Sequence, residues 1–350
     1  MKYLCQYTSM PVPEVLGAGI CCMGPYFVMP FLDGRIASTM LKDPNHEGRH
    51  VLNPNIPDVI LRRAYLEMAK ILLELSRPGF QAIGVFEFEK EGFAVTKRPL
   101  TFEMNQWQTE SNIRLEALPA GPFRSATDYF HNDAVINEED CRKKYIARCL
   151  FRKIAREIST KHRDGTFRLY WDDLRPSNVL VDMHNLRMTG VIDWEFTYVV
   201  PAEFMYAAPW WLLLKSPQGW DADLNVLLDH YKPRLRLFLS ALRECEDKGI
   251  KEGDGPLADS LRLSTRMEQS LDLGLFWFCV AVRHSSMLDE VYLTFLDKLY
   301  HGPLTSINDR IQLLSEEERD NLEEFVRAKM EQDKESHLDD HYPIDKLLDL

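Results

Sequence analysis

The chain lacks any apolar run that approaches a membrane span. Its longest, Leu275-Phe276-Trp277-Phe278-Cys279-Val280-Ala281-Val282, falls far short of the roughly 20 residues a spanning helix needs, and no signal-peptide pattern opens the sequence. Positive charge is also scarce. Against 54 acidic residues stand 42 Lys and Arg, a formal charge of −12, which argues against a general nucleic-acid binder because that would need a basic surplus on one face. The 7 cysteines (Cys5, Cys21, Cys22, Cys141, Cys149, Cys245, Cys279) form no C-x-x-C pair and have no histidine at zinc-ligand spacing. They read as reduced, mostly buried thiols of a cytoplasmic protein. No internal repeat or low-complexity tract is present. What remains is ample core material: 45% hydrophobic and 11% aromatic residues over 350 positions, enough for one large domain with a small lobe.

The most informative stretch is Trp171-Asp172-Asp173-Leu174-Arg175-Pro176-Ser177-Asn178, followed by Asp193 in Val191-Ile192-Asp193-Trp194-Glu195. In phosphoryl transfer from ATP, an Asp on a short loop takes the acceptor's proton, while a downstream Asn and a second Asp hold magnesium against the phosphates. Asp173, Asn178 and Asp193 fit those roles in order, with Arg175 as a phosphate or loop-stabilising contact. A chance D-x-x-x-x-N would be a polar turn capped by Asp and Asn. Here Val179–Asp182 and Met188–Ile192 read as two strands turning at His184-Asn185, so the hairpin returns Asp193 beside Asn178.

Elsewhere the periodicity predicts helices. Residues 58–76 and 139–159 each carry an apolar stripe, helical patterns dominate from 222 onward, including 266–285, and Ser315 with Glu318 forms a capping box for an acidic helix. Residues 2–8 read as the tail of a helix, Glu14–Leu16 and Tyr26–Met29 as strands flanking a turn, and Ile83–Phe86 with Phe93–Val95 as a hairpin, while 98–135 is irregular. The aromatic cluster Phe204, Tyr206, Trp210, Trp211 and Trp220 is open to two readings, packing of a helical lobe or contact with substrate.

The motif residues Asp-Asp-Leu-Arg-Pro-Ser-Asn-Val-Leu-Val-Asp and Val-Ile-Asp-Trp-Glu-Phe-Thr-Tyr resemble the aminoglycoside phosphotransferase-like (choline-kinase-like) family, especially a fungal branch of it, and the similarity runs from about residue 1 to about 330. The resemblance implies an α+β, protein-kinase-like fold with a truncated small β lobe and a large mainly helical lobe. Residues 1–34 would be the remnant of the small lobe and hinge, and 35–350 the large lobe with catalytic loop and metal-binding hairpin. It also implies ATP as co-substrate, Mg2+, a small-molecule hydroxyl acceptor, and adenine bonding by the main chain near Met29 and Phe31. Without the later motif, that hinge segment would read as an edge strand ending in an Asp-Gly turn.

Two look-alikes are set aside. His162-Arg163-Asp164 opens like a protein-kinase loop, but Leu169 stands where Asn is needed. Gly17-Ala18-Gly19 with Gly24 suggests a phosphate loop, yet no strand lysine follows it, and the resemblance places Gly17–Gly24 at the turn before the hinge. With Met1-Lys2-Tyr3-Leu4 aligned to the end of the family's small-lobe helix, the resemblance implies that the glycine-rich loop, phosphate-gripping lysine and helix glutamate would precede Met1. Tyr129–Asp133 stands where relatives carry a longer insertion. Both departures suggest a shortened chain, natural or from a mistaken gene model, and raise the alternative of an impaired pseudokinase or interaction protein. A third departure is Trp171, where the family often has His. An indole cannot bond on two sides as an imidazole does, so the loop must be supported differently.

Overall fold

A computed structural model of the chain describes residues 1–46, 50–89, 92–101, 104–105, 121–122, 138–160, 167–220, 223–254, 258–303 and 306–335. The rejected His162-Arg163-Asp164 and the segment Tyr129–Asp133 lie outside them. A short helix α1 (Lys2–Tyr7) leads to the hairpin β1 (Gly17–Cys21) and β2 (Gly24–Val28), then to β3 (Arg35–Ile36), α2 (Ala37–Leu41) and the long α3 (Asp58–Ser76). Next come β4 (Gly79–Phe80), the hairpin β5 (Val85–Glu89) and β6 (Gly92–Lys97), and α4 (Glu138–Thr160). The segment around the Asp173–Asn178 motif contains β7 (Phe167–Trp171), β8 (Val179–Val181), β9 (Met188–Val191) and β10 (Thr197–Val200). Beyond it the described chain is helical: α5 (Glu203–Tyr206), α6 (Leu224–Gly249), α7 (Leu263–Asp272), α8 (Leu275–Arg283), α9 (Leu288–Val291), α10 (Asp297–His301), α11 (Ile307–Ile311) and α12 (Glu316–Glu335), with 3-10 and π turns between.

Two three-stranded sheets frame the centre. In one, β7 lies between β10 and β4; in the other, β8 lies between β3 and β9. The long helices α3 and α6 pack on each other through Tyr65, whose ring meets Phe238 edge-on at 5.8 Å and whose hydroxyl donates to the Leu212 carbonyl at 2.7 Å. From the same helix, buried Glu67 accepts the Met188 amide at 3.0 Å, pinning the start of β9 to α3. No described helix is long and apolar enough to cross a membrane.

The helices at 58–76 and 139–159 stand where the stripes placed them, and the Ser315–Glu318 capping box is formed, with Glu318 N donating to Ser315 Oγ at 3.2 Å and Ser315 N to Glu318 Oε2 at 2.8 Å. Several expectations are corrected. The first strand is Gly17–Cys21, not Glu14–Leu16, and the turn falls at Cys22-Met23. In this strand Gly19 faces Tyr26 across the ladder, where a Cβ would lie 2.8 Å from the tyrosine hydroxyl. The 266–285 pattern is two helices broken at Gly274, whose φ of 77° lies in the left-handed region. Nor are the thiols mostly buried. Cys5, Cys21 and Cys22 are exposed and Cys245 half-buried; only Cys149 and Cys279 are buried among the described cysteines, none of which is paired. The exposed trio sits on the peripheral α1 and β1–β2 segment, outside the core.

Candidate active site

Strand β7 alternates, burying Phe167, Leu169 and Trp171 between its two neighbours. It then delivers the chain directly to Asp172 and Asp173. A single 3-10 turn, Pro176–Asn178, connects the loop to β8. In the β8–β9 ladder Val179 faces Val191, and the Ile192 amide donates to the Asn178 carbonyl at 3.0 Å. Asn178 and Asp193 therefore emerge at the same end of the hairpin, as the sequence reading placed them.

Asp173 is 8% exposed. Its Oδ2 accepts Asn178 Nδ2 at 2.9 Å and Arg175 Nη2 at 3.0 Å, and Arg175 Nε stands 3.0 Å from Oδ1. Asn178 Nδ2 also donates to the Asp173 carbonyl at 3.0 Å. With its amide nitrogen so committed, Asn178 has Oδ1 for a cation. Burial raises the Asp173 pKa, and Arg175 and Asn178 oppose the rise while Asp193 and Asp172 add to it. Arg175 thus closes the loop onto the Asp173 carboxylate.

Trp171 supplies the support that the sequence left open. Its Nε1 donates to the Asp193 carbonyl at 2.9 Å, and its ring stacks on Trp194 at 4.2 Å between centroids. The indole cannot bond on two sides, but it reaches the second strand end with one bond and a stacked face. Asp193 itself is exposed and sits at φ 66°, a left-handed conformation that Asp tolerates better than most residues.

Sequence reasoning missed three further groups. Asp172, the neighbour of the candidate base, is buried and ion-paired at 2.6 Å with Arg283 from α8, whose side chain is nearly covered. Glu195 has its pKa raised by partial burial and then by Asp193 and Asp173, so three carboxylates share one field. The third is His50, whose pKa is lowered by burial and by the positive charges of Lys42 and Arg175. The Asp-Trp-Glu spacing was a readable signal for Glu195. Arg283 and His50 carried none, because both are distant in sequence.

Among the described residues no three His, Cys, Asp or Glu side chains converge as a ready-made metal cage. Magnesium does not require one, since it is commonly held by one or two carboxylates with water and substrate phosphates. Asn178 Oδ1 and the exposed Asp193 carboxylate fit that donor chemistry. Met29 and Phe31 lie just after β2, with Phe31 93% exposed, and no hydrogen bond joins them to the catalytic loop. Their segment is nevertheless seated against the hairpin, because Leu32 covers Gly190, where a Cβ would lie 2.7 Å from Leu32 Cδ1.

The aromatic cluster serves packing at Phe204 and Trp211, both buried, and Trp220 stacks on Phe276. Behind the loop, Tyr170, Leu174, Phe204, Trp211, Phe276 and Arg283 line a cavity of about 40 Å³, room for a few waters and not for a sugar.

Solved structures to which the chain is similar include a GDP complex of an aminoglycoside 2'-phosphotransferase variant, 15% identical, covering 93% of this chain and 80% of that chain at a TM-score of 0.39. A thermostable aminoglycoside phosphotransferase APH(4)-Ia variant in ternary complex with AMP-PNP and hygromycin B is 14% identical, covering 94% and 81% at a TM-score of 0.36. No curated protein matches the chain. The model of the phosphotransferase enzyme family (APH) matches residues 1–204, through β7, the catalytic loop, the hairpin and β10. With its α+β, protein-kinase-like fold, strands before residue 201 and helices after, the chain belongs to the phosphotransferase enzyme family.

Proposed function

We propose that the chain transfers a phosphoryl group from ATP to a hydroxyl of a small molecule, with Asp173 as base and Asn178 and Asp193 as magnesium ligands. The observation that carries this reading is the bonded set Asp173–Asn178, closed at the far strand end by Trp171 on the Asp193 carbonyl. Magnesium, when bound, would neutralise charge on the transferring phosphate. Asp173 orients the acceptor hydroxyl and takes its proton. Its raised pKa favours that step, since a base works best as its affinity for the proton approaches the operating range. Arg175, two-fifths exposed, holds a positive charge beside the base and is the group to meet the phosphate. The main chain near Met29 and Phe31 would take the adenine, from the segment that Leu32 seats on the hairpin.

A second reading, a nucleotide-binding protein without turnover, is favoured by one observation: both carboxylate oxygens of Asp173 already stand against Arg175. Magnesium-dependent ATP consumption, measured over a panel of hydroxyl acceptors, tests the proposal. Wild type should turn over, and Asp173→Asn should lower kcat by about 100- to 10,000-fold, the range for a general base. No consumption with any acceptor and no effect of Asp173→Asn would overturn it. A thermal shift with Mg-ATP in that case would support the second reading; saturation at 100 times Kd adds about 2.7 kcal/mol of apparent stability.

A further inference from the structure

We infer that Arg283 is the positioning residue of the catalytic loop, holding from the end of α8 the peptide that carries the base. The inference rests on the reading of Asp173 as that base. Arg283 Nε donates to Asp172 Oδ1 at 2.7 Å and Nη2 donates to the Asp172 carbonyl at 2.6 Å. One guanidinium therefore grips the side chain and the main chain of a single residue. The Asp172 amide is fixed as well, donating at 2.9 Å to the carbonyl of Phe196, the residue just before β10. With its amide, carboxylate and carbonyl all held, Asp172 cannot rotate, and the Asp173 backbone that follows is set.

The guanidinium is itself seated. It lies 5.3 Å over the Tyr170 ring, and Tyr170 meets Phe204 edge-on at 5.6 Å. Asp172 is buried and the Arg283 side chain is only 10% exposed, so each needs the other as counter-charge. The planar fork of arginine presents donors to the carboxylate and the neighbouring carbonyl in fixed directions, whereas an ammonium is a point charge with freely rotating donors. The tie also crosses a boundary. The family match ends at residue 204, and Arg283 lies beyond it, so the C-terminal helices supply a part of this site that the matched region does not contain.

The test compares Arg283→Lys, Arg283→Gln and the double variant Asp172→Asn/Arg283→Gln with wild type, each first confirmed folded by its unfolding transition. Arg283→Gln should lose about 100-fold in kcat, the scale of a 1 Å misplacement, with KM for ATP little changed. Arg283→Lys should retain an intermediate kcat, and the double variant should be no worse than Arg283→Gln, because no buried carboxylate is left without a counter-charge. Hydrogen exchange across residues 172–178 gives a reading independent of turnover. Arg283→Gln should speed exchange there by about tenfold or more while α3 and α6 stay protected. Folded variants with wild-type kcat and unchanged exchange would overturn the inference. An inactive wild type whose loop still loosens on Arg283→Gln would count against the proposed function and leave the positioning role standing.

Discussion

Asp193 shows how chemistry and backbone conformation meet at one residue. Its φ of 66° would cost most side chains about 1–2 kcal/mol, and Asp and Asn are the polar exceptions. Asp193→Asn should therefore keep unfolding stability within about 0.5 kcal/mol of wild type while abolishing the thermal shift given by Mg-ATP. Calorimetry with and without the nucleotide checks both halves, and a destabilised Asp193→Asn protein would contradict the conformational argument. That Asp173, Asn178 and Asp193 are brought together was legible in the sequence because their spacing is fixed by a short loop and a hairpin. Arg283 was not. An arginine closing an apolar helix reads as an ordinary C-terminal charge, and its partner lies 111 residues away.

Among the elements, long helices with an apolar stripe were readable and short strands less so. β10 buries Tyr198, Val199 and Val200 in succession, so it lacks the period of two that marks a half-exposed strand. β7 does alternate, but its five residues are too few to be distinguished from the approach to a loop. The α12 start is a cleaner case, since its capping box is a local signal with a local cause. Ser315→Ala should cost about 1 kcal/mol by leaving the Glu318 amide without its cap. Urea unfolding followed by helix ellipticity measures it, and an unchanged midpoint would mean that α12 is held by packing alone.

For the molecule as a whole, pH stability should be governed by groups held neutral in the interior. Burial, with the adjacent Arg283 charge, lowers His284 from 6.5 to about 3. The folded state then binds fewer protons than the unfolded state between those values, so the stability from neutral His284 is complete above the unfolded pKa and is lost as pH falls below it. At pH 5 the loss should be roughly 2 kcal/mol relative to pH 7.5, and His284→Leu should flatten that slope. Denaturant titrations at the two pH values decide this, and an equal slope in both proteins would remove His284 as the cause.

The reach of Arg283 back to Asp172 also orders events in time. A ribosome that has released the chain only through β10 has already supplied Asp173, Asn178 and Asp193, yet the counter-ion of the neighbouring carboxylate is still unsynthesised. The loop can settle only after α8 emerges and docks. Assembly of the site is thus a late, long-range event, of the kind that slows folding as contacts become less local. Until α8 docks, the nascent chain holds every motif residue and lacks the clamp that orients them.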